Sequence, residues 1–428
     1  MNMSGLSFDA LPSINIPFRY FLISPIFVIF TALFIMYSGP DVWFSRWHPS
    51  MFAITHGFTL GFITTVMMGA LFQIFPVACG TGFPKVNLVA DFSFVLHSLG
   101  TFCLMLNFAW PDPIIKTLSI IFLICGFGIY ICAVIWTLMK KLSQGVVILG
   151  IRLGVIAFVI VILLGVSLQL GVFYGDKNIT NLHVLWGGFG WIGLLIMAVS
   201  FQIIPMFHVA PDFPRVISKS IPFLIIILLL LASFLRDTPT HLITFLLMIN
   251  SIYSISVLYV VSKRKRKIPD VTIQYWQLAS IAILILFFLF CFGKYFLPDD
   301  IMKKQTLLGG AIFIYFYLVS IIQGMLLKII PFLSYTHLQQ RSLMNFEVMA
   351  LLPNMHDFIN KKQAAFLFKL HMTTGVCLVF TILYPYVSWL FGCLLLMEFS
   401  GLLFLMLKAV SLYKSSSDKI NHLLVNPS

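Results

Sequence analysis

The chain carries ten histidines, and one acid lies deep inside an apolar run; these are the groups able to do chemistry. Two histidines open long apolar segments among glycines. One reads Thr55-His56-Gly57-Phe58-Thr59-Leu60-Gly61-Phe62, the other Asn181-Leu182-His183-Val184-Leu185-Trp186-Gly187-Gly188. A neutral imidazole is a good ligand for iron or copper, and neighbouring glycines admit a close helix or a flat macrocycle. The competing reading is an interfacial histidine bonded to water or to a backbone carbonyl. His97 and His371 fall inside other apolar segments, where an ionisable group is either functional or a hydrogen-bonded link between helices. Glu398, in Leu396-Met397-Glu398-Phe399-Ser400, must be protonated or paired. It is a candidate for proton handling and equally for a structural hydrogen bond. His48 and His241 read as interfacial. His208, His337, His356 and His422 read as loop or tail residues.

The elements that position these groups recur. Phe72-Gln73-Ile74-Phe75-Pro76, Phe201-Gln202-Ile203-Ile204-Pro205 and Leu327-Lys328-Ile329-Ile330-Pro331 stand 129 and 126 residues apart by their prolines. A fixed period implies one structural unit used several times. His56 and His183 lie near the far ends of the first two segments, at matching places in the repeat, and the third segment has no counterpart. Proline at each block is expected to stop the helix. Gln73, Gln202 and Lys328 share one place and read as packing and interface residues.

The 428 residues are 60% hydrophobic and 10% charged, with mean hydropathy +1.02. A soluble core does not need so much apolar sequence, whereas spanning helices of about 20 apolar residues do. Twelve apolar segments are expected, near 18–38, 52–79, 88–109, 114–139, 148–173, 181–207, 220–235, 241–261, 273–296, 306–331, 365–386 and 388–412. The pattern predicts a single all-α membrane domain of three pseudo-repeats of four helices (about 18–139, 148–261 and 273–412). The seven cysteines form no CxxC pair, which argues against a disulfide framework or a structural zinc.

With the N-terminus inside, 20 of the 27 Lys and Arg residues fall on the inner side. Only Arg46, Lys116, Lys177, Arg236, Lys294, Lys303 and Lys304 fall outside. That bias predicts both termini in the cytoplasm, and it accounts for the +13 net charge without nucleic acid. The run Lys263-Arg264-Lys265-Arg266-Lys267 serves as an orientation anchor that could also meet anionic lipid headgroups.

The run from Thr55-His56-Gly57 to Met67-Met68-Gly69-Ala70-Leu71 resembles the second helix of haem–copper oxidase subunit I. There, a His-Gly pair supplies a ligand to the low-spin haem. Twelve helices in three arcs of four is also that family's architecture. The block from Trp47-His48-Pro49 to Pro76, with the glycine-rich segment at His183, is more similar still to NnrS-type haem- and copper-containing membrane proteins tied to nitric oxide stress. About 60 residues carry the resemblance. The tenth segment has Tyr315, Tyr317 and Gln323 where an oxidase has a His-x-His pair. The seventh has no His-His dyad, and the sixth has no Glu-Val-Tyr motif. A complete oxygen-reducing centre and a proton-pumping channel are therefore not implied.

The resemblance implies an inner-membrane haem protein, with copper as a further cofactor, in a redox or nitric-oxide-response role. His56 would be an axial or metal ligand, with His183, His97 or His371 as second ligand and His183 as the other metal ligand. Its partners would be the bilayer and a respiratory electron donor or oxidase subunits. A secondary transporter with Glu398 as coupling acid, and a cofactor-free partner or assembly subunit, remain open on the same sequence.

Overall fold

The computed structural model describes residues 12–140, 145–173, 175–235, 240–265, 267–342, 349 and 352–425. Lys141, Arg266 and the turn 236–239 lie outside the described residues. Twelve helices are long and apolar enough to cross a membrane. They are α1 Asn15–Ser38, α2 Pro49–Val77, α3 Val86–Ala109, α4 Pro113–Lys140, α5 Val146–Leu170 and α6 Lys177–His208. The rest are α7 Arg215–Phe234, α8 His241–Ser262, α9 Val271–Phe296, α10 Gln305–Ser342, α11 Lys361–Leu383 and α12 Pro385–Leu423. No strand occurs among the described residues.

Three helices form the middle of the bundle. The apolar windows of α2, α6 and α10 are 78, 72 and 67% buried, against at most 56% in the others. The outer helices pack in chain order, α3 on α4, α8 on α9 and α11 on α12, and α1 lies along α12 to close the ring. With an apolar surround on every side, such helices need no amphipathic stripe. Their sequences accordingly read as continuous hydrophobic runs.

Each central helix contains one eight-residue π-helical stretch: Gly57–Thr64, Trp186–Gly193 and Ile312–Val319. Their starts are 129 and 126 residues apart, in step with the prolines. The three stretches touch one another. Trp191 Nε1 donates to Thr64 Oγ1 at 3.2 Å. Phe189 packs on Phe313 with centroids 4.8 Å apart, and Phe58 meets Tyr315 edge-on at 6.4 Å. π-helical turns are rare and cluster where a helix serves a site.

The prolines do not stop the helices. Pro76, Pro205 and Pro331 all lie inside, and α10 runs eleven residues beyond Pro331 to Ser342. Proline removes only its own N–H, and one lost bond does not end a helix whose neighbours hold it in place. Left-handed residues end the first two instead: Gly80 (φ 63) donates its N–H to Pro76 O, and Val209 (φ 50) follows His208. A left-handed valine is strained; the Lys265 N–H donates to its carbonyl at 2.9 Å and holds it there. His337 is therefore a helical residue, its Nδ1 2.8 Å from Tyr413 Oη, and not a loop histidine.

Candidate functional site

The histidines distribute over three places. The first is the end of the bundle opposite the prolines. His56 ends the α-helical turn before the first π stretch, and His183 sits three residues before the second. They are thus two positions out of register rather than at matching places; Leu185 occupies the site that corresponds to His56. The structure nevertheless brings them together, with ring centroids 6.2 Å apart and planes inclined by 28°. His56 Nδ1 lies 2.8 Å from Phe52 O, and His183 Nδ1 lies 3.1 Å from Val161 O. A carbonyl can only accept, so both rings carry their proton on Nδ1. Each Nε2 keeps its lone pair. Anchoring one nitrogen on a carbonyl while the other stays basic is the usual support of a metal-binding imidazole.

Phe108 packs on the His56 ring with centroids 5.3 Å apart, and polar and cationic groups lie nearby in the chain. Arg46 Nη2 donates to Asn181 Oδ1 at 2.7 Å, and the Arg46 guanidinium and Lys177 ammonium lie over the Trp47 ring. Burial draws the Arg46 pKa down. His48 caps α2 by accepting the Ser50 N–H at 3.2 Å. Gly165 packs against the His183 ring, its Cβ direction 3.0 Å from Cε1. Two imidazoles across one ion place their centroids about 6 Å apart, from metal–nitrogen bonds of about 2 Å and the ring halves. The 6.2 Å between the His56 and His183 centroids matches that spacing. Among the described residues no group of three or more His, Cys, Asp or Glu is placed to hold a metal.

The second place is the middle of the span, and it is double. Thr65 and Ser320 are each the first residue after a π stretch, eleven residues before Pro76 and Pro331. Each hydroxyl donates to the carbonyl five residues back, Thr65 to Leu60 at 3.0 Å and Ser320 to Tyr315 at 3.3 Å. Each also meets the Nε2 of a fully buried histidine from the next helix, His97 at 2.8 Å and His371 at 2.7 Å. Only then do they differ. His97 Nδ1 has no partner, and its ring rests on Phe127 at 5.1 Å. His371 Nδ1 lies 2.7 Å from Glu398 Oε1, and Tyr315 Oη donates to Glu398 Oε2 at 2.5 Å. Glu398 is therefore paired. Neither His97 nor His371 lies with His56 and His183, and both nitrogens of His371 are engaged.

The third place is the proline end. A vestibule of about 1530 Å³ opens there, and Gln73, Gln202 and Lys328 all line it, as their shared place in the blocks requires. Lys328 Nζ donates to Asp270 Oδ2 at 2.7 Å, and buried His208 lies 3.8 Å from the same oxygen. Burial pushes the Asp270 carboxyl up, but Lys328 and the Thr272 N–H outweigh it and hold the group below its ordinary value.

Sequence reasoning missed the Thr65–His97 and Ser320–His371 equivalence, the partners of Glu398 and the vestibule. The hydroxyl eleven residues before Pro76 and before Pro331 was the available signal. No family model and no curated protein matches the chain.

Proposed function

We propose that this is a membrane redox protein that binds haem, or copper in its place, between His56 and His183, in a respiratory or nitric-oxide-response role. One observation carries the reading: two imidazoles lie 6.2 Å apart with both Nδ1 atoms committed to carbonyls and, among the described residues, no hydrogen-bond partner on either Nε2. Phe52 O and Val161 O fix the rings and raise their basicity. Arg46 and Lys177 place positive charge beside the pair, which favours an anionic ligand periphery or an anionic electron donor. When bound, the metal supplies a one-electron couple tuned by its two imidazoles.

The recurrent π stretches and prolines support three pseudo-repeats of four helices on an oxidase-subunit-I-like scaffold. The charge bias supports an inner-membrane location with the proline end and both termini at the cytoplasm. Purified protein should show a Soret band and a reducible α band, or bound copper by elemental analysis. His56→Ala and His183→Ala should each abolish that signal in protein that still inserts. A colourless, metal-free wild type, or equal content in the variants, would overturn the reading.

The vestibule favours a second reading, a transporter. Three block residues at one register line a single chamber, which suits a pathway for a solute. Solute flux into liposomes by colourless protein would select it, and co-purification of colourless protein with an oxidase would select a partner subunit.

A further inference from the structure

His371, Glu398 and Ser320 are fully excluded from solvent, and Tyr315 is 2% exposed. The titratable groups facing the His371–Glu398 pair are Tyr315 from α10 and Tyr275 from α9, whose ring lies 5.4 Å from the His371 ring. Phe58 and Phe62 of α2 close the remaining side against Phe399. Counting protons over the hydrogen bonds leaves two arrangements. In one, the Ser320 hydroxyl donates to His371 Nε2 and Nδ1–H donates to the Glu398 carboxylate, which gives a net charge of −1. In the other, Nε2 carries a proton and donates to Ser320 Oγ, and the Ser320 hydroxyl donates to Tyr315 O. The cluster is then neutral overall, with the shared proton on Nδ1 (imidazolium and carboxylate) or on Glu398 (imidazole and carboxylic acid). Ser320 Oγ lies within reach of both partners, at 2.7 and 3.3 Å, so the switch requires only a hydroxyl rotation. The two arrangements differ by one proton and by no electron.

A path for that proton leads to the vestibule. Tyr275 packs on Gly324 of α10, one helical turn from Ser320. The Tyr275 hydroxyl and both polar atoms of the neighbouring Gln323 side chain are fully buried; the two side chains lie close enough to interact, but no hydrogen bond of good geometry satisfies them. Buried polar atoms left open are costly, and structures keep them where a function needs them. Thr272 on α9 and Leu327 and Lys328 on α10, about one turn further along each helix, already line the vestibule.

We propose that His371 and Glu398 form a one-proton binding site inside the span, which exchanges its proton with the proline-end vestibule past Gln323 and Tyr275. A proton from vestibule water is added to Nε2, Ser320 turns to the Tyr315 carbonyl, and the bond from Nδ1 to Glu398 persists. A net charge inside the span is unfavourable, and Tyr315 lessens the cost of the charged state by donating to the carboxylate. Metal binding at His56 and His183 is not a premise, so a colourless protein would still carry this site.

The test is infrared difference spectroscopy of the full-length protein in lipid nanodiscs, stepped between about pH 4 and 10, which spans the ordinary imidazole and carboxyl ranges. Wild type should show one imidazole–carboxylate transition that is missing in Glu398→Gln. Identical difference spectra would overturn the site. Should Glu398→Gln fail to fold, Ser320→Ala keeps both titrating groups and removes the rotating hydroxyl. Its transition should then move by at least about one pH unit, a tenfold change in proton affinity; an unmoved transition would overturn the site, whereas a merely structural role would lower only the melting temperature. Gln323→Leu should keep the amplitude and slow hydrogen–deuterium exchange of the pair about tenfold or more. An unchanged rate would overturn the route.

Discussion

Thr65–His97 and Ser320–His371 are two versions of one device, and the difference between them lies in the fourth helix of each group. Both use a hydroxyl just past a π stretch to hold the Nε2 of a histidine from the following helix. α4 offers Phe127 to the first histidine, and α12 offers Glu398 to the second. The first imidazole is thereby left with an unpaired Nδ1 in an apolar wall, whereas the second joins a closed network with Tyr315. After the second π stretch the corresponding residue is Leu194, and the next helix, α7, has no histidine. Among the described residues the device occurs twice, and only one copy carries a carboxylate. The carboxylate turns a helix link into a place where a proton can be held.

Breaking the charged copy should have the largest effect. Glu398→Leu strands the fully buried His371 Nδ1 and leaves the Tyr315 hydroxyl only the longer bond to the His371 carbonyl, at 3.2 Å. Removing one partner of a buried pair costs about 3–5 kcal/mol, against which a new leucine recovers little. Thermal unfolding in detergent should show it as a loss of melting temperature larger than that caused by Asp270→Asn, His97→Phe or Thr65→Ser.

The same logic ranks a more exposed pair lower. Asp270 bridges Lys328 and caps α9 by accepting the Thr272 N–H at 2.9 Å. Asp270→Asn keeps the cap and removes the charge, so a loss of about 1–2 kcal/mol is expected near neutral pH. The sign with pH follows from the depressed folded value. The Asp270 contribution is complete above the ordinary aspartate value of about 3.9 and fades as pH falls through the folded value below it. Wild type and Asp270→Asn should therefore converge in stability in strong acid. A gap that stays constant with pH would mean that the carboxylate contributes shape and not charge.

The uncharged copy should tolerate loss of its histidine. His97→Phe removes one hydrogen bond, but Thr65 retains Leu60 O and the unpaired Nδ1 disappears. A cost near 1 kcal/mol is expected, several times less than for Glu398→Leu. Equal costs in unfolding experiments would mean that the two copies are energetically alike and that the Glu398 network adds nothing.

The sequence made some of this legible and hid the rest, for reasons that can be named. Apolar runs of spanning length are unmistakable because a bilayer demands them, and all twelve appear, although α10 and α12 each run eleven residues past the expected end. The block prolines gave the right period and the wrong ending, since a proline inside a packed helix costs one bond and not the helix. His56 and His183 stood out through their glycines, yet their meeting depends on side-chain direction: two residues of offset turn a helix by about 200°, which spacing along the chain does not reveal. The kinship of His97 and His371 was obscured by length. His97 follows Pro76 by 21 residues and His371 follows Pro331 by 40, because the extension of α10 and the segment after it separate the third pair. Glu398 looked isolated because its partners are 83 and 27 residues away in sequence.

The smallest effect tests whether the hydroxyl alone defines the device. Thr65 is fully buried and differs from Ser320 by one methyl. Thr65→Ser keeps both hydrogen bonds and loses that methyl, so a cost of about 0.5–1 kcal/mol from burial is expected. Thr65→Val keeps the shape and loses the hydroxyl. His97 is then left without a partner at either nitrogen, and Leu60 O loses the donor that the π stretch relies on. If the hydroxyl is the functional part, Val should be clearly worse than Ser despite filling the site better, by about 1 kcal/mol or more in unfolding free energy. A valine variant as stable as the serine variant would show that Thr65 is retained for packing. The resemblance of the two copies would then be one of backbone only, with the proton chemistry proposed for His371 resting on Glu398 and Tyr315 alone.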